Sequence, residues 1–394
     1  MRSGAQPGLT DVSNEPLEGA LADECRLCDV LVIGGGMAGV SVGARLAGEQ
    51  RVVVLERETM PGQHSTGRSA AIFIRNYGSN VLRALNAASA GFFAEPTDVS
   101  DTTLLTQRGE MIIAEEDEIG HLEAYLAGSS GLERITARDA IERFPILREE
   151  RIAAAVYEPD AQDIDVDRML QGLLRLLRAR DGELVTGAEA LEITRKDGLW
   201  HVTTPAGRFA APLVINAAGA WADRTAALAG VSTIGLRPLR RTAAILPAPA
   251  GLEPAGWPLC VSASERWYAK PEAGKILVSP ADEDEVEPHD AWPDDMVLAE
   301  GLHRFEQSVT MEVTRVEHSW AGLRSFVADR NPVVGFAPGA DGFFWLAGQG
   351  GYGIQAAPAL AALASALCLG HDPDLSPDVV AALSPDRASI TKGN

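Results

Sequence analysis

The stretch "DVLVIGGGMAGVSVGARLAGEQRVVVLERE", Asp29 to Glu58, decides the fold. Val30 to Ile33 form an unbroken apolar, β-branched run, the mark of a strand buried on both faces. Gly34, Gly36 and Gly39 then give G-x-G-x-x-G, and a run rich in alanine and valine predicts a helix behind them. Arg51 to Leu55 read as a second strand, and Glu56 closes the pattern about 20 positions after the first glycine. The first two glycines permit a tight turn and let backbone N–H groups approach a pyrophosphate, while Gly39 lets helix and strand pack closely. Glu56 is placed to accept hydrogen bonds from a ribose hydroxyl. Together these features predict an α/β, Rossmann-like dinucleotide-binding unit.

After the acid, further βα units would suit NAD. The chain instead enters "RETMPGQHSTGRSAA", Arg57 to Ala71, where Ser65, Thr66, Gly67, Ser69, Ala70 and Ala71 are all small. An extended small-residue loop that runs into an apolar segment suits a cofactor longer than one ADP half, which points to FAD lying along the backbone. Two distant segments agree. "APLVINAAGAWAD", Ala211 to Asp223, reads as a buried strand ending in a small-residue turn. "FFWLAGQGGYGIQAAPALAALASALCLG", Phe343 to Gly370, reads as strand, glycine loop and alanine-rich helix, whose N-terminus can stabilise negative charge on a flavin.

The wider chain fits a large globular protein. Its 394 residues favour two domains, and mean hydropathy is near zero. The 55 Asp and Glu against 34 Lys and Arg leave a net charge of −21, which opposes a nucleic-acid partner. Residues 1–27 are polar and lack the apolar core of a signal peptide, so they predict a flexible extension. The sequence predicts no membrane span. The four cysteines suggest a reducing, cytoplasmic setting, and the Cys25–Cys28 CxxC lacks the second pair or histidines of a zinc site, so no metal is expected.

The strings "VVVLERE", "GQHSTGRSAA", "VINAAGAWAD", "WAGLRSFVAD" and "GQGGYGIQ" together resemble the D-amino-acid oxidase superfamily of FAD enzymes, and within it most closely bacterial D-arginine dehydrogenase. The likeness runs from about Cys28 to Leu369. It implies a discontinuous FAD domain (28–100, 165–235 and 319–394) and an α+β substrate domain (101–164 and 236–318) built on an antiparallel sheet. The alternating "KILVS" around Ile276 and "TAAIL" at Thr242 to Leu246 support strands there.

By the same resemblance Ala38, Glu56, Arg57 and the run Ser65, Thr66, Gly67, Arg68, Ser69, Ala70, Ala71 and Ile72 would contact FAD. So would Ala190 and, around the flavin, Gly350, Gly351, Tyr352, Gly353, Ile354 and Gln355. Some relatives hold flavin through a cysteine in the C-terminal part. This chain has none between Cys260 and Cys368, so non-covalent FAD is expected.

The reaction implied is oxidation of a D-amino acid by hydride transfer from Cα to flavin N5, giving an imino acid that water converts to a 2-oxo acid and ammonia. A planar guanidinium holds a carboxylate bidentately and a tyrosine hydroxyl can complete the grip. Arg324 and Tyr268 match the carboxylate-binding positions. Tyr77, Arg241 and Gly351 match pocket positions, and Glu110 matches an acid that faces a cationic side chain. Ile72 and Ile74 replace polar residues of the resembled pocket, which favours a long or apolar side chain beside the basic one. No side chain is obliged to act as base; the resemblance implies a dehydrogenase, while the residues leave the electron acceptor, oxygen or another, open. Oxidation of a glycine-like or N-methylated amine is the rival reading. An RNA-modifying flavoprotein is opposed by the charge, and a binding protein without catalysis by Arg324 and Tyr268.

Overall fold

The computed structural model describes residues 25–391. The predicted extension therefore falls mostly outside the described residues. Its last three, Cys25–Leu27, form a strand paired in parallel with Gly207–Ala211, so the start of the folded chain moves back from residue 28.

The central strand predicted at Val30–Ile33 is the third of six in one sheet. The order is Glu183–Val185, Val52–Leu55, Val30–Ile33, Leu213–Asn216, Phe343–Ala347 and Val333–Phe336. All neighbours are parallel except the last pair. Burial on both faces follows from the alternation of each strand. Val30 and Val32 pack with helices Met37–Leu46, Val166–Ala179 and Ala357–Leu369, while Leu31 and Ile33 face a second layer containing Trp200, Val202 and Phe209. That layer is a four-stranded sheet in the order 25–27, 207–211, 199–204 and 192–196.

The glycine spacing has a steric cause. Gly34 has φ +115°, and a Cβ there would stand 2.3 Å from the Ala217 carbonyl oxygen, so only glycine joins strand to helix at this point. A Cβ on Gly39 would stand 1.9 Å from the Gly34 oxygen, which accounts for the close approach of helix and strand.

The second sheet has eight strands: His318–Phe326, Arg237–Leu246, Lys275–Ser279, Tyr268–Glu272, Leu259–Ser262, Glu110–Ala114, Ala154–Glu158 and Glu133–Ile135. The predicted "TAAIL" and "KILVS" strands are neighbours, with Ala244 opposite Val278. Two features depart from expectation. Leu259–Ser262 runs parallel to Glu110–Ala114, so the sheet is mixed at one pairing. His318–Phe326, assigned above to the FAD domain, pairs along its length with Arg237–Leu246 and belongs to this sheet. One face carries a core of Trp267, Phe305, Phe144 and Trp257, covered by helices Asp295–Ser308 and Ala137–Arg143. Toward the other face lies the segment from Gly62 to Gly78, in which Ile72–Phe73 is a short strand antiparallel to Gln162–Ile164.

Candidate active site

One cavity of about 860 Å³ lies between the carboxyl ends of the parallel strands and the eight-stranded sheet. At its nucleotide end the wall includes Gly34, Gly36, Ala38, Glu56, Arg57 and Ala190. At the far end it includes Arg241, Tyr268, Arg324 and Ser325, with Gly350, Gly351, Gly353 and Ile354 beside them.

Glu56 is buried. Its Oε2 accepts from Gly35 N at 2.8 Å and its Oε1 from Glu58 N at 2.9 Å. Burial raises its carboxyl above the usual range, against the pull of those two bonds. A carboxylate has lone pairs beyond these two, so a ribose hydroxyl can still donate to it. Helix Met37–Leu46 starts at Gly36, which has no side chain to cap it, and Thr66 Oγ1 accepts from Met37 N at 3.0 Å. The remaining first-turn N–H groups suit a pyrophosphate.

The small-residue loop is shaped by protein contacts as well as by space. Ser65, Thr66, Arg68, Ser69 and Ala70 line the cavity, whereas Gly67, Ala71 and Ile72 do not. Gly67 N donates to Gly62 O at 2.7 Å, and a Cβ on Gly67 would sit 2.7 Å from that same oxygen. Ser65 Oγ donates to Leu323 O at 2.7 Å, Arg68 Nη1 to Ala321 O at 2.9 Å, and Trp320 Nε1 to Arg68 O at 3.1 Å. The loop thereby staples the two sheets together along the cavity.

At the far end, Gly350 has φ +53° and a Cβ on it would meet the Phe326 ring at 2.0 Å. A Cβ on Gly351 would lie 2.9 Å from Arg324 Nη1, so the guanidinium rests flat against bare backbone. Among the described residues no hydrogen bond or ion pair engages the Arg324 guanidinium. A half-buried cation with no hydrogen bond or ion pair, facing a cavity, can hold an anion brought by a ligand. Tyr268, from another strand of the same sheet, shares the wall. Arg241 is buried and also lines the cavity; its Nη2 donates to Glu283 Oε1 at 3.0 Å, and its Nε has no partner.

Several other expected site residues stand off the wall. Tyr77 packs its ring against Tyr352 at 4.8 Å, and neither ring lines the cavity. Tyr77 also joins an apolar cluster with Ile72, Ile74, Leu259, Val261 and Tyr268. Gln355 is buried, with Oε1 accepting from Ile74 N at 2.9 Å. Glu110 is buried opposite Glu158 on the adjacent strand and accepts from Tyr125 Oη at 3.2 Å. Burial, then the Glu158 charge, push its carboxyl up to about 8, so it is largely neutral at pH 7. It lies outside the cavity wall, and the expected contact with a cationic side chain is not made from that wall. Gly39 supports the helix rather than lining the cavity.

Sequence reasoning missed wall residues such as Trp221 and His64. The expected Arg57 lies over the Trp221 ring at 4.9 Å, and His64 packs against the same ring at 4.7 Å while its Nε2 sits 2.9 Å from Glu58 Oε1. The signal for Trp221 was present: an aromatic closing the turn after a buried strand. None of the four cysteines lines the cavity. Among the described residues no helix is long and apolar enough to cross a membrane and no cluster could hold a metal ion. The glycine cradle, the buried Glu56, the open helix N-terminus and the long cavity fit FAD.

Comparison with known proteins agrees with this geometry. The family model of FAD dependent oxidoreductases matches residues 29–367. Glycine oxidase of Geobacillus kaustophilus is 28% identical, the match covering 84% of this chain and 90% of that protein. FAD-dependent oxidoreductase domain-containing protein 1 of Bos taurus is 26% identical over 93% of this chain and 85% of its own. Among solved structures, L-proline dehydrogenase from P. horikoshii superposes with a TM-score of 0.80 at 21% identity, covering 94% of this chain and all of that one. None of these names is D-arginine dehydrogenase, so that narrower resemblance rests on the motifs alone. The chain belongs to the FAD-dependent oxidoreductase family.

Proposed function

We infer that the protein oxidises an amino acid, with its α-carboxylate held on Arg324 and its Cα–H turned toward the flavin. The observation that carries this reading is the unpartnered Arg324 guanidinium lying flat against Gly351 on the cavity wall. Bound in this cavity, FAD supplies the hydride acceptor. Arg324 offers a fork that matches a carboxylate, Tyr268 a hydroxyl beside it, and Arg241 a second positive charge. Fixing the carboxylate fixes the neighbouring carbon and keeps it in place for transfer. No base is asked of the protein, because an amine that enters neutral has no proton to give up before its α-hydrogen leaves as hydride. The imino acid then hydrolyses to a 2-oxo acid and ammonia.

The side chain would lie toward Ile72, Ile74, Leu259 and Val261, a cluster that meets the cavity through Tyr268. This cluster supports a long alkyl side chain, while the D configuration rests on the motif resemblance alone. A basic tip is supported only by Glu110, which is set back and mostly protonated at neutral pH. A second reading, oxidation of glycine or an N-methylated amine, is supported by the glycine oxidase relative. The motif resemblance alone favours a dehydrogenase over an oxidase.

The test is anaerobic mixing of the yellow protein with D- and L-amino acids, glycine and sarcosine. Bleaching by D-amino acids with long alkyl groups supports the first reading. Bleaching only by glycine or sarcosine would move the assignment to the second.

A further inference from the structure

The acidic run "ADEDEVEPHDAWPDD", Ala281 to Asp295, reads as a solvated charge run, yet it is bound along the substrate sheet. Asp282 Oδ1 accepts from Thr242 N at 2.6 Å and its Oδ2 from Thr242 Oγ1 at 2.8 Å. Arg240 N donates to Asp284 O at 2.8 Å, Val286 N donates to Pro238 O at 3.0 Å, and Glu285 pairs with Arg237 at 2.6 Å. Residues on both sides of Glu283 are thus fixed to the strand that carries Arg241.

Glu283 itself bonds two arginines. Its Oε1 accepts from Arg241 Nη2 at 3.0 Å and from Arg330 Nη2 at 2.7 Å, while its Oε2 accepts from Arg330 Nη1 at 3.0 Å. Arg330 lies over the Phe326 ring at 3.8 Å, the ring that also backs Gly350. Arg241 is left with a buried Nε that has no partner, on the wall shared with Arg324. A long guanidinium side chain has several rotamers, and a fixed acceptor together with packing selects one.

We propose that Glu283, braced by Arg330, is a positioning residue that holds the Arg241 guanidinium as the second prong of the carboxylate clamp. The proposal rests on the reading of Arg324 as the first prong. Two effects of Glu283 on an incoming carboxylate oppose each other. Its negative charge repels the ligand, and its bond orients Arg241 toward it. Arg330 already engages both carboxylate oxygens, so much of that charge is offset by a cation that does not touch the cavity. Orientation therefore wins.

The experiment measures the Kd of butyrate, a carboxylate without an oxidisable amine, from the change it causes in flavin absorbance, together with KM and kcat for the best amino-acid substrate. Glu283→Ala raises the butyrate Kd and KM roughly tenfold or more, the loss of one charge-assisted contact, with kcat and FAD content close to wild type. Glu283→Asp, which keeps the charge but shortens the reach to Arg241, raises Kd severalfold, less than Glu283→Ala does; it decides the matter if Glu283→Ala does not fold. Unchanged or tighter butyrate binding in Glu283→Ala, or in Glu283→Asp where that variant decides, overturns the proposal. Arg324→Ala is measured alongside. If it loses butyrate while the Glu283 variant keeps it, the positioning role alone fails; if it too keeps butyrate, the clamp reading itself fails.

Discussion

Removing the Arg324 side chain is the sharpest perturbation of the site. The guanidinium has no protein partner among the described residues, so Arg324→Ala strands no acceptor. The usual penalty for breaking a buried ion pair is therefore absent, and Tm stays close to wild type. Binding tells a different story. Hydrogen bonds to a charged group contribute about 1.5–3 kcal/mol, so KM rises roughly tenfold to more than a hundredfold. Arg324→Lys keeps the charge but not the planar fork and recovers only part of the loss. The assay is steady-state turnover of the best amino acid, with flavin content and thermal unfolding measured on the same samples. A variant that loses FAD but keeps KM, or one that unfolds well below wild type, would refute the substrate role.

Other outcomes follow from the same geometry. Gly351→Ala puts a Cβ 2.9 Å from Arg324 Nη1, so the arginine must shift; KM rises by less than in Arg324→Ala while FAD binding is retained, as flavin absorbance and kinetics will show. Glu110 has its carboxyl raised from 4.5 to about 8, so between those pH values folding takes up a proton. The stabilisation is fully present below about pH 4.5 and is lost as pH rises through 8. Glu110→Gln therefore gains Tm over wild type as pH increases across that window, and a constant difference would show the carboxyl to be ionised in the fold. With no cysteine on the cavity wall, acid precipitation releases the flavin as free FAD, and yellow colour remaining in the pellet would contradict that.

The nucleotide half was legible because its signals are local. Val30–Ile33 and Phe343–Ala347 begin and end where the apolar runs do, since a short apolar run closed by glycines fits a strand covered on both faces. Gly34 and Gly39 were readable because each is forced by a backbone contact that any Cβ would violate. The substrate half depends on pairings between segments far apart in sequence. Nothing in "LCVS" announces that Leu259–Ser262 will lie parallel to Glu110–Ala114. Nor does the acid in "RGEMIIA" show whether it faces the cavity or turns toward Tyr125. Glu283 was hidden for the opposite reason: among seven other acids between 282 and 295 it reads as surface charge, and only tertiary contact makes it a partner of Arg241.

The central claim is that one cavity holds FAD and presents Arg324 to a substrate carboxylate. A crystal structure of the yellow protein with a bound non-oxidisable carboxylate tests it most directly. The account predicts FAD running from Glu56 to the Gly350–Ile354 loop, with the carboxylate on Arg324 and Tyr268 against the flavin. Carboxylate density elsewhere, with Arg324 still unpartnered, would contradict it.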